Sequence, residues 1–145
     1  MHRIDKEMKS AQHLLYVSMK YTKTCDVILN LIQRWQQMVE IAIDMLLEKA
    51  KKKKLLKEIP KAPKPKIDLV LQIFRKEQVV VDTINLYSFF RKINTYPQHR
   101  EHEFRKNVAL RVITDDTEVV IDIEKIKEYQ ALLENFIKFV RVFTA

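Results

Sequence analysis

Along most of the chain, apolar residues recur at intervals of three and four, the period of one face of an α-helix. The first run is Ile4, Met8, Ala11, Leu14, Leu15, Ser18 and Thr22, a narrow face of small and medium side chains. The stretch YTKTCD then brings hydroxyl and carboxylate groups, which favour helix caps over helix interiors, so a break is expected near Thr24–Asp26. With no Gly or Pro there to force a turn, one uninterrupted helix through both segments is the alternative. The second run is the clearest. Ile28, Leu31, Ile32, Trp35, Met38, Val39, Ala42, Met45 and Leu46 form a broad stripe, and IAIDMLL near its end is apolar almost all round. Such a helix is expected to be buried on more than one side. About thirty residues of it would run about 45 Å.

Residues 49–66 break the pattern. KAKKKKLLKEIPKAPKPK holds nine lysines, one glutamate and three of the four prolines, a net of +8, which is also the net charge of the whole chain. Everything outside this segment sums to zero. Pro60, Pro63 and Pro65 predict a lysine-coated helix end followed by a stiff, extended linker. Apolar periodicity resumes with Ile67, Val70, Leu71, Phe74, Val81, Ile84, Tyr87 and Phe90, read as one long helix over 66–95. Then VALRVITDDTEVVIDI alternates, with Asp115–Asp116 as a usable turn, and predicts a β-hairpin over 107–123. Asp122 is placed to cap a last helix with Ile126, Tyr129, Leu132, Leu133, Phe136, Ile137 and Val140 on its apolar face. The fold class expected is mainly α: a four-helix, up-and-down-type bundle in a single domain spanning 1–145, with a small β-hairpin between helices 3 and 4. A lone hairpin is marginal in water, so it must lie on the helices or pair across a subunit. A homodimer would serve.

Composition sharpens this picture. The 145 residues include no Gly at all. Only Gly takes positive φ cheaply, so few tight turns and long regular elements are expected. The same absence excludes a Walker loop, a GxGxxG dinucleotide turn and a G-x-S-x-G nucleophile elbow. Cys25 is the single cysteine, which rules out a disulfide framework and a thiolate zinc site and reads as a buried, inert thiol. The opening MHRIDKEMKSAQ is charged and lacks the apolar core of a secretory signal. No apolar run approaches the ~18 residues of a membrane span. A soluble, cytoplasmic protein with no membrane partner is expected.

Two regions could carry chemistry. RKINTYPQHREHEFRKN, residues 91–107, brings Arg91, His99, Arg100 and His102 close together in sequence. An imidazole exchanges protons near neutrality and an arginine can hold a phosphate, the minimal kit for metal-free cleavage of an RNA backbone. The plainer reading is a charged seam between helix and hairpin, with Glu101 and Glu103 pairing with Arg105, Lys106 or Arg100. His99 and His102 with Glu103 lack a third ligand at a recognised spacing, so no metal and no cofactor is expected. The second region is the lysine segment. Lys51, Lys52, Lys53, Lys54, Lys57, Lys61 and Lys64, together with Arg105 and Lys106 of the corner, are candidate contacts to a polyanion such as nucleic acid or to an acidic protein partner. Its plainer reading is a solubilising linker. No aromatics for base stacking lie within it.

SAQHLLYVSMKYTKTCDVI, the long second helix, the Pro-Lys stretch and EFRKNVALRV together resemble an uncharacterised archaeal group of small helical proteins. More distantly the chain is similar to the HEPN superfamily, helical dimers that include ribonucleases with an Arg followed shortly by a His. That resemblance implies a helical dimer. Here Arg91 precedes His99 with seven residues between, and Arg100 precedes His102 with one, so the family's spacing is not matched. The function expected is a non-enzymatic helical module, homodimeric, that binds a polyanion or a protein partner through basic surfaces. The alternative is an HEPN-like ribonuclease using His99 or His102 with Arg91 or Arg100.

Overall fold

The computed structural model describes residues 2–20 and 23–145, as five helices and a three-stranded sheet. The rest of the molecule is arranged around α2, Cys25–Lys52. Thr24 is its N-cap: backbone φ −116° and ψ 156° place the hydroxyl to accept from the Val27 N–H at 3.3 Å. Its buried face runs Cys25, Ile28, Leu31, Ile32, Trp35, Met38, Val39, Ala42, Ile43, Leu46, Leu47 and Ala50. That face is wider than one neighbour can cover. α1, His2–Lys20, lies along one side through Ile4, Ala11 and Leu15. Arg34–Glu7 at 3.7 Å flanks that contact. The side chain of Ser18 and the whole of Thr22, expected on the α1 face, lie outside the described residues.

α3, Pro63–Ile73, α4, Gln78–Lys92, and α5, Ile123–Thr144, cover the remainder. Asp122 is the N-cap of α5, its Oδ1 accepting from the Lys125 N–H at 2.8 Å. At the centre, Trp35 of α2 stacks on Phe90 of α4 at 6.2 Å and meets Tyr129 of α5 edge-on at 6.4 Å. Burial of each large apolar side chain here contributes about 1.5–3 kcal/mol. Thr83, a buried hydroxyl, is satisfied by donating to the Val79 carbonyl at 2.7 Å.

Three expectations need correction. The helix expected over 66–95 is two helices. Arg75, Lys76, Glu77 and Gln78 are four consecutive polar residues that no buried face can use, and the chain turns there, with the Glu77 N–H donating to the Phe74 carbonyl at 2.9 Å. A single-turn 3-10 segment, Ile93–Thr95, follows α4. The extended linker is shorter than expected, because Pro63 is the first residue of α3 and Pro65 its third. Backbone N–H groups in a first helical turn have no intrahelical acceptor, so proline loses nothing there.

The third correction concerns the sheet, which has three strands where two were expected. β1, Gln98–Glu101, pairs antiparallel with β2, Ala109–Ile113, which pairs antiparallel with β3, Glu118–Ile121. Leu110, Val112 and Ile121 are buried against the helices. Arg111, His99 and Val120 stand opposite one another on the outer face. The helices of one chain thus cover both the α2 stripe and the inner face of the sheet, and a second subunit is not what buries them. Among the described residues, no helix is long and apolar enough to cross a membrane.

Candidate functional site

The two basic regions sit at opposite ends of α2. Cys25 at its start touches the corner, and Lys52 at its end opens the lysine segment. Twenty-eight residues of helix separate them, which is about 42 Å. Arg105 and Lys106 therefore cannot share one compact site with Lys51–Lys64 in a single chain.

At the corner the four candidate catalytic residues point to different places. Arg91, in the last turn of α4, lies over the ring of Tyr87 one turn back, 6.0 Å from its centroid. His99 is on the outer face of β1, directly across from Arg111. Arg100, the next residue, is on the other face, where its guanidinium reaches Asp26 at 2.8 Å and Glu103 at 3.4 Å. The hydrogen bond to Asp26 and the charge of Asp26 raise the Arg100 pKa. That residue ties the corner to the first turn of α2. Glu103 serves the same junction, accepting from the Cys25 N–H at 3.2 Å. Glu101 pairs with Arg111, not with Arg105 or Lys106, and Arg111 also reaches Glu118 at 2.8 Å, so one arginine bridges all three strands.

His102 takes φ 54° in the loop after β1 and lines a depression of about 530 Å³ with Lys23, Glu101, Lys106, Arg111 and Asp122. Acidic and basic groups both line it, so it presents no surface of one sign. Among the described residues, no group of three or more His, Cys, Asp or Glu is placed to hold a metal ion. Cys25 is buried, and its thiol lies 3.3 Å from the Ala109 carbonyl, the acceptor for its S–H. Burial, then the charge of Glu103, pushes this thiol up to about 11, away from the thiolate that a nucleophile needs.

The lysine end is different. α2 stops in a Schellman arrangement: the Leu55 N–H donates to the Ala50 carbonyl at 2.9 Å and the Lys54 N–H to the Lys51 carbonyl at 3.0 Å. The position that usually takes Gly is Lys54, at φ 63°. Lys64 and Lys66 are neutralised, by Asp68 at 3.1 Å and Asp44 at 2.7 Å. Lys49 donates to the Ala145 carbonyl at 3.2 Å, and the Lys53 ammonium sits 4.5 Å above the ring of Phe143. Lys51, Lys52, Lys54, Lys57 and Lys61 are exposed and form no ion pair among the described contacts.

Residues that sequence reading did not assign to this end join it through the fold. Arg75 and Lys76, in the turn between α3 and α4, line a depression of about 600 Å³ together with Leu55, Phe139 and Phe143. Their sequence signal is the polar run after Phe74, which marks a turn but not its neighbours. Phe139 and Phe143 of α5 lie near-parallel, 6.0 Å apart at 13°, and Phe74 packs edge-on to both at 5.8 and 4.9 Å. The chain matches no protein-family model, and neither curated proteins nor solved structures give a significant match to it.

Proposed function

We propose that the chain is a non-enzymatic helical module that binds a polyanion through its lysine end. The observation that carries this is the run of exposed ammonium groups at Lys51, Lys52, Lys54, Lys57 and Lys61, unpaired among the described contacts, with Arg75 and Lys76 lining one depression with Leu55 of the same segment. Neutralising phosphates with such a cluster releases condensed counterions, and affinity then falls steeply with salt. Cations on a helix C-terminus also complement its dipole, which accounts for Lys51 and Lys52 but not for Lys57 or Lys61 in the loop beyond. The mixed-charge corner suits a structural junction. All of these cations belong to one chain, so the reading requires no second subunit and is compatible with a homodimer.

The test is fluorescence anisotropy of labelled RNA, DNA and heparin against the full chain and a variant with Lys51, Lys52, Lys54 and Lys57 changed to Gln. Salt-sensitive binding that weakens at least tenfold in this variant, but less than twofold in Arg105→Gln with Lys106→Gln, is expected. Equal binding by all three proteins, or binding to none of the polyanions, would overturn the reading.

A further inference from the structure

We propose that the depression floored by Phe139 and Phe143 is a seat for unpaired nucleobases, which makes the lysine end a site for single-stranded nucleic acid. This rests on the polyanion reading and names its ligand. A single-strand site needs two things together: cations that follow the phosphates and aromatic faces on which bases stack. The lysine segment itself contains no aromatic residue. The fold supplies them from α5, two half-buried phenyl rings one helical turn apart and nearly parallel. Phe74, 4% exposed and edge-on to both, holds the pair in place. The depression above them, about 600 Å³, is within the ~300–1,000 Å³ range of sites that accept an organic ring system.

The rim agrees with this ligand. Arg75 and Lys76 line it together with Leu55 of the lysine segment, which is 54% exposed. Glu77 and Gln72 are the other polar groups lining the depression. Glu77 can accept a hydrogen bond from a base N–H, the imide of thymine or uracil included. Membrane-surface elements project apolar side chains outward. Here the two rings are half-buried. Lys53 already covers Phe143, at 4.5 Å. An exposed cation–ring contact is weaker than base stacking, so an arriving base displaces the ammonium and frees it for a phosphate.

The experiment compares labelled single strands of oligo-dT and oligo-U with a duplex of equal length, at one salt concentration, by anisotropy. Single strands are expected to bind at least tenfold tighter than duplex. Phe139→Leu with Phe143→Leu should lower single-strand affinity about tenfold or more and leave duplex and heparin binding within twofold. Circular dichroism reports whether that variant folds. A second readout avoids the question: in Phe143→Trp the new indole is expected to be quenched by single strands and not by duplex. Equal affinity for single strands and duplex, no quenching, or preferential binding of an acidic amphipathic peptide or of phosphatidylserine vesicles overturns the inference while leaving polyanion binding intact. Absence of salt-sensitive binding to every polyanion overturns both.

Discussion

Lys54 shows at a single position what a chain without Gly must accept. A left-handed backbone costs a side-chain-bearing residue about 1–2 kcal/mol, partly offset because Gly in its place would lose about 0.5–1 kcal/mol more conformational freedom on folding. Lys54→Gly is therefore expected to raise stability by about 0.5–1 kcal/mol, read by urea unfolding with the lone Trp35 as fluorophore. The same change should weaken polyanion binding, because it removes one ammonium from the cluster. Cys25 makes a different prediction. Its thiol ionises near 9.0 in the unfolded chain but is pushed up to about 11 by burial in the fold, and Tyr87 and Tyr129 are pushed up to about 12 for the same first reason. Between those values the unfolded state binds fewer protons, so stability is full below pH 9 and falls as pH rises toward 12. Urea midpoints measured across that range should drop, with a shallower drop in Cys25→Ala. At pH 8 a thiol reagent should label Cys25 only after denaturation.

Elements were legible where one local signal decided them. The break before α2 and the start of α5 were readable because Thr24 and Asp122 are good N-caps ahead of long apolar stripes. Each cap should be worth about 1 kcal/mol, so Thr24→Ala and Asp122→Ala are expected to shift the urea midpoint by similar amounts, while Ala62, which caps α3 with no side-chain bond, tolerates substitution. Elements that depend on partners were not legible. β1 is QHRE, with no β-branched or aromatic residue, and it is a strand because β2 offers it a ladder. The split between α3 and α4 carries neither Gly nor Pro. The polar run Arg75–Gln78 marks it only as a turn, and the packing of Phe74 at the end of α3 against Phe139 and Phe143 is tertiary. The histidines and arginines of residues 91–102 are close in sequence, yet strand alternation sends His99 and Arg100 to opposite faces.

For the whole molecule, α2 determines what can act together. It holds the corner and the lysine end about 42 Å apart, so charges that read as one candidate set become two surfaces of unlike character. The lysines were visible in the sequence. The rings and the Arg75–Lys76 turn beside them were not, because tertiary packing alone brings them there. The proposed activity requires that the lysine end engage phosphates directly. The slope of log affinity against log salt for a single strand tests it most directly, compared between the native chain and the variant with Lys51, Lys52, Lys54 and Lys57 changed to Gln. Losing four phosphate contacts should make the slope shallower by about 3. An unchanged slope would mean that the lysine end makes no phosphate contacts and that affinity is carried elsewhere on the molecule.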